Sequence, residues 1–145
     1  MDEILEKYPL KKQISFEITP KKRVACAFTG HRELGEDFSR KKLKKEIQNL
    51  IKEGIFIFYC GMAKGFDLEC GNIVISLKEK YKNLRFIACV PYYGQERNFS
   101  QKERELYAKI YKKADEKIIL SETFYKGCLH NRNRYMSDRA AVLLS

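Results

Sequence analysis

Two short glycine-bearing stretches hold the residue types best suited to gripping an anion. In Thr29-Gly30-His31-Arg32 a histidine and an arginine follow a glycine at the end of an apolar run. The arginine fork matches phosphate or carboxylate in bidentate fashion, and glycine lets a bulky anion approach the backbone. Taken by itself, His31 is better explained as a loop histidine bonded to a nearby carbonyl. The second stretch, "GMAKGFD", carries Gly61, Gly65 and Asp67. A helix starting behind it would aim free N–H groups and its positive dipole end at an anion. Neither stretch has the GxGxxG or GxxxxGKS/T spacing of the common dinucleotide and P-loop fingerprints. Asp67 suits a helix cap as well as it suits ribose hydroxyls.

A third polar cluster, Arg132, Asn133, Arg134 and Asp138, sits near the end of the chain. A solvated helix would explain it, yet its arginines and asparagine differ from the lysine-rich faces elsewhere. Tyr92, Tyr93 and Tyr125 are candidates for stacking on a base, although surface tyrosines commonly lack that role. The chain has no Gly-x-Ser-x-Gly elbow, no Cys–His nucleophile pair and no metal-ligand spacing. No metal and no cofactor are therefore expected.

These residues must be positioned by one domain, because 145 residues is a single-domain length. The composition, 44% hydrophobic and 33% charged, is that of an ordinary soluble globular protein. No apolar run approaches the roughly 18 residues of a membrane span, so no membrane partner is expected. The start of the chain carries acids and no apolar core of a secretory leader. Five cysteines without CxxC spacing read as buried thiols of a reducing cytoplasm. A net charge of +10 favours anionic partners, phosphates or nucleic acid among them. Much of that excess is lysine on what read as solvated helix faces.

The order of elements follows from the apolar pattern. "KQISFEIT" alternates and reads as a half-exposed strand or an arm. "RVACAF", "IFIFYC" and "LRFIACV" are solid apolar runs, the pattern of strands buried on both faces of a parallel sheet. "EKIIL" and "AVLL" read as a fourth and a fifth strand. Helices are expected over "SRKKLKKEIQNLIKEG", with Ser39 as N-cap and Gly54 as its stop, and after "GMAKGFD", with Cys70, Ile73, Val74, Leu77 and Tyr81 on one stripe. A further helix opens with Ser100 and Glu103 at capping-box spacing, and a short one covers "HNRNRYMSDRA". The whole is an α/β chain with an open, mostly parallel, doubly wound Rossmann-like sheet of about five strands. In such sheets ligands sit beyond the carboxyl ends of the strands. The loops TGHR, GMAKGFD and PYYGQ all fall on that edge.

Taken together, "CAFTGHR", "GMAKGFDLECGNIVISLK", "IACVPYYGQ" and "YKGCLHNRNRYMSD" resemble the YpsA-like branch of the SLOG superfamily, over about residues 22 to 145. These are Rossmann-like domains related to the DNA-processing protein DprA and to the LOG phosphoribohydrolases. The resemblance implies a nucleotide or nucleotide-derived ligand at the carboxyl edge of the sheet. It points to Thr29, Gly30, His31 and Arg32, then to Gly61, Ala63, Gly65 and Asp67. It adds Pro91 and Gln95, then Arg132, Asn133 and Asp138. Relatives continue into a Gly-Gly-Thr turn and a closing helix, whereas this sequence ends at "AAVLLS". The expectation is a domain over 21–145 lacking that turn, preceded by an arm or extra strand over 1–20. Phe99 takes the place of the aromatic residue expected shortly after Gln95.

Three functions follow from this resemblance. The first is a sensor or sequestering module for a nucleotide ligand, NAD- or ADP-ribose-derived, in a homo-oligomer. The second is a nucleotide N-glycoside hydrolase, with Asp67 stabilising an oxocarbenium-like centre and Arg132 holding phosphate as its catalytic residues. The third is single-stranded nucleic-acid binding, which the charge favours but which lacks a basic stripe interleaved with aromatics.

Overall fold

The computed structural model describes residues 20–30 and 33–145. His31, Arg32 and the expected N-terminal arm or strand lie outside the described residues. A single helical turn, α1 (Pro20–Arg23), leads into β1 (Ala25–Phe28). There follow α2 (Arg40–Lys52), β2 (Ile57–Cys60), α3 (Phe66–Leu77), β3 (Arg85–Val90), α4 (Gln101–Lys113), β4 (Glu116–Ile119), α5 (Cys128–Ser137) and β5 (Val142–Leu144). A 3-10 turn over Gln95–Asn98 precedes α4. Neither α1 nor this turn carries a periodic apolar signal.

All five strands are parallel, in the order β4-β3-β2-β1-β5. The chain steps outward from β1 to β4, then α5 carries it back to lay β5 on the free side of β1. Strand order therefore reverses between β1 and β5. Strands β1 and β2 are buried along their whole length, and β3 from its second residue. This is why they read as solid apolar runs rather than alternating ones. One face, with Cys26, Phe28, Phe58, Phe86 and Val90, packs under α2, α3 and α4. The other, with Ala25, Ala27, Tyr59, Ile87 and Cys89, packs against Met136 of α5 and Ala140 beyond it. The outer strand β4 is largely exposed, because it forms an edge and opens with the charged Glu116 and Lys117.

The helices start where their side chains can satisfy the first N–H groups. The Ser39 hydroxyl accepts from the Lys42 N–H at 3.2 Å, and α2 stops before Gly54, whose φ of 106° suits glycine. At α4 the capping box is complete: Ser100 Oγ accepts from Glu103 N–H at 3.1 Å, and Glu103 Oε1 accepts from Ser100 N–H at 2.8 Å. Helix α3 ends at Leu77, so Tyr81 joins the same core from the turn beyond it. All five cysteines are buried free thiols. Burial pushes those of Cys26 and Cys89 up to about 12.

The side chain of Asp115 fastens the amino ends of β3 and β4 to α3. It accepts from Lys78 Nζ and, at 2.7 Å, from the Phe86 N–H. Burial alone would raise its pKa, but the Lys78 and Phe86 bonds outweigh that and hold it below the ordinary 3.8. A depressed folded pKa gives stability that is present above the unfolded value and lost as pH falls through the folded one. Asp115→Asn is expected to cost roughly 1 kcal/mol at neutral pH and to flatten the loss of stability below about pH 4. Thermal denaturation of both proteins from pH 7 to pH 3 checks this. Parallel curves would contradict it.

Candidate functional site

The loop Gly61–Gly65 joins β2 to α3 and is fixed from three directions. Arg132 of α5 donates from Nη1 to the Gly61 carbonyl at 2.6 Å. Gln95, in the 3-10 turn after β3, donates from Nε2 to the same carbonyl at 3.0 Å and to that of Met62 at 3.2 Å. Asp67, in the first turn of α3, accepts from the Ala63 N–H at Oδ2 (3.2 Å). Among the described residues Asp67, Gln95 and Arg132 are the buried polar or charged side chains. All three act on this one loop. A buried polar group must be paired to be tolerated, so their convergence marks the loop as a built feature rather than a surface crossing.

The backbone supplies a further sign. Met62 is fully buried with a φ of 62°, the left-handed region that non-glycine residues rarely occupy. Such residues are held only where their surroundings over-determine them, and they gather at functional sites. Gly65 then turns the chain into α3 with a φ of 82° and offers no side-chain cap. Among the described residues no acceptor takes the N–H groups of Lys64, Gly65 and Phe66. With its carbonyls turned toward Gln95 and Arg132, the loop leaves these donors beside the positive end of a twelve-residue helix.

The first loop meets the second. A Cβ on Gly30 would fall 2.0 Å from Cδ2 of Phe66, the first residue of α3. Thr29 completes the β1–β5 ladder by donating its N–H to Leu144 at 2.9 Å. Thr29 and Gly30 thus stand between the start of α3 and the end of β5, where strand order reverses.

The electrostatics agree with this placement. Burial holds the Cys60 thiol well above its ordinary range, the Asp67 charge raises it further, and Arg132 pulls it down. Arg132 also lowers Cys89 against the stronger effect of burial. Its guanidinium, bonded to the Gly61 carbonyl, lies at the carboxyl end of β2. Nε of Arg132 donates to Asn133 Oδ1 at 2.8 Å, so Asn133 orients the guanidinium. Burial, and after it the nearby Glu96, hold the Tyr107 hydroxyl above its ordinary value, with Gln95 acting the other way.

Gly61, Ala63, Gly65, Asp67, Gln95, Arg132 and Asn133 are thus brought together, with Thr29 and Gly30 alongside. Pro91 is fully buried at the end of β3 and exposes no surface there. Asp138 is not brought in. It follows α5, its N–H donating to the Arg134 carbonyl, about 9 Å along the axis from Arg132. The next residues cross the amino ends of the strands, where the Ala141 N–H donates to the carbonyls of Lys22 and Ala25. Met62, Phe66 and Tyr107 escape sequence reasoning, because nothing in their types signals a left-handed backbone or a partner far along the chain. Two surface depressions lie elsewhere on the same edge, around Tyr93 and Ile119. Among the described residues no helix is long and apolar enough to cross a membrane.

The chain is similar to curated proteins and to solved structures. It is 24% identical over 109 residues to a UPF0398 protein of Bacillus velezensis, covering 74% of this chain and 60% of that one. It is 27% identical over 130 residues to the UPF0398 protein YpsA of Bacillus subtilis, covering 81% and 72%. A UPF0398 protein of Staphylococcus aureus is 28% identical over 85 residues, covering 59% and 46%. The chain thus spans less than two thirds of the length of the first and third of these. The X-ray structure of DNA processing protein A (DprA) from Streptococcus pneumoniae matches with a TM-score of 0.55 and 22% identity, over 84% of this chain and 41% of that one, a likeness of fold. The YpsA family model, that of the YspA SLOG family, matches residues 27–145, and the chain belongs to this family.

Proposed function

We propose that this domain binds a nucleotide-derived anion, NAD- or ADP-ribose-derived among the candidates, at the carboxyl edge of its sheet. The phosphate would sit against the N–H groups of Lys64, Gly65 and Phe66, with His31 and Arg32 contributing from the loop after β1. One observation carries this reading: the buried polar side chains Asp67, Gln95 and Arg132 all serve to fix one glycine-rich loop at a helix N-terminus. Backbone donors aimed at an anion work only if the loop cannot relax.

Binding is favoured over hydrolysis because Asp67 and Arg132 are engaged in holding the loop. A small ligand is favoured over nucleic acid because the exposed lysines of α2, such as Lys41, Lys44 and Lys45, are not interleaved with exposed aromatic residues. Titration calorimetry with ADP-ribose, cyclic ADP-ribose, AMP and NAD is expected to give saturable heat with at least one of them. Silence across the panel with folded protein would end this proposal. Free base released from AMP, and lost in Asp67→Asn, would instead make the domain a hydrolase.

A further inference from the structure

A surface depression of about 720 Å³ lies at the carboxyl ends of β3 and β4 and is lined by Tyr93, Ile119, Leu120, Ser121, Glu122 and Thr123. Its wall is an exposed aromatic: Tyr93 is 61% exposed and Ile119 44%. Of the three tyrosines with stacking potential, Tyr92 packs edge-on against Phe124 at 5.3 Å, and Tyr125 is held through its hydroxyl by Asn131. Tyr93 alone among them lines the depression.

The depression is built by hydrogen bonds rather than left over between loops. The Tyr93 N–H donates to the Ser121 carbonyl at 2.9 Å. Ser121 Oγ donates to the Thr123 carbonyl at 2.7 Å and accepts from the Thr123 N–H at 3.3 Å. The Arg97 guanidinium stands 5.7 Å from the centre of the Tyr93 ring. A ring held in this way beside an apolar floor, with a carboxylate at Glu122, suits a planar heteroaromatic group that bears N–H donors.

The same elements tie this depression to the anion loop. Gln95, two residues beyond Tyr93, bonds the Gly61 and Met62 carbonyls. In α5 Asn131 holds Tyr125 while its neighbour Arg132 holds Gly61. The loop after β2 and the loop after β4 are two strand spacings apart, about 10 Å. A nucleoside monophosphate bridges such a distance between its base and its phosphate.

We propose that the ligand retains its nucleobase, which stacks on Tyr93 over Ile119 and Leu120 while its phosphate occupies the Gly61–Gly65 loop. This rests on the anion-binding reading above. The test is calorimetry of AMP and of ribose 5-phosphate, which lacks the base, on the wild type, Tyr93→Ala and Tyr93→Phe. Wild type should prefer AMP. Tyr93→Ala should weaken AMP about 5- to 150-fold, the worth of one base–aromatic stack, and change ribose 5-phosphate by less than about twofold. Tyr93→Phe should keep the wild-type preference. AMP bound equally by wild type and Tyr93→Ala, or no better than ribose 5-phosphate, overturns the base site while leaving the anion loop intact. Failure of AMP and ribose 5-phosphate to bind any of the proteins overturns the base site, and the anion-binding reading falls with it only when ADP-ribose, cyclic ADP-ribose and NAD are silent as well. A single-stranded oligonucleotide bound more tightly than AMP through Tyr93, and steeply loosened by salt, would replace the mononucleotide as occupant.

Discussion

Alanine at Gly30 is expected to lower the melting temperature by roughly 3–12 °C, the equivalent of the 1–3 kcal/mol that overpacking a core usually costs. The new Cβ would fall 2.0, 2.1 and 2.4 Å from Cδ2, Cγ and Cβ of Phe66. Rotation of the ring can clear the first of these contacts. It cannot clear the last, because the Phe66 Cβ is fixed by the first residue of α3. Relief therefore requires the loop after β1 and the helix to separate, and Phe66 belongs to the main core. It follows that Phe66→Leu, which keeps Cβ and Cγ, should fail to rescue Gly30→Ala. Calorimetric melting of the two single variants and the double variant decides the matter. A wild-type melting temperature for Gly30→Ala would mean that the two loops do not touch as described.

This contact changes what the glycine means. In the sequence Gly30 stands in an anion-binding motif, where close backbone approach explains it. In the fold it also has a packing reason, and that reason lies 36 positions away at Phe66. The strands were legible because solid apolar runs such as "IFIFYC" admit few other readings. The helix starts at Ser39 and Ser100 were legible because capping is local chemistry. The shared edge of the three loops followed from the alternation of strands and helices. What stayed hidden depends on contacts between distant residues. Arg132 reads as a phosphate ligand, yet two of its donors go to Gly61 and Asn133. The left-handed backbone of Met62 and the influence of Gln95 on Tyr107 have no local signature. Asp138 looks like part of a cluster in the chain, but the helix that separates it from Arg132 carries it toward the opposite edge.

The duty of Arg132 can be separated from its charge by a substitution that leaves the arginine in place. A Cβ on Gly61 would lie 2.6 Å from Cζ, 2.7 Å from Nη1 and 2.8 Å from Nε of Arg132. The φ of Gly61 is not in the positive region, so alanine carries no backbone penalty there. Gly61→Ala must therefore act by expelling the guanidinium from the carbonyl it holds. The expected loss is about 1.5–3 kcal/mol, the worth of a hydrogen bond from a charged donor, because the Gly61 carbonyl keeps its bond from Gln95. Ligand binding should fall with it, since the loop loses one of its three fixings. In an Arg132→Ala background the obstruction is gone, and the same glycine substitution should cost almost nothing further. A double-mutant cycle read by denaturant unfolding and by AMP binding measures that coupling directly. Additive effects of the two substitutions would show that Arg132 does not act through the Gly61 loop, and the assembly of the site would have to be explained by Gln95 and Asp67 alone.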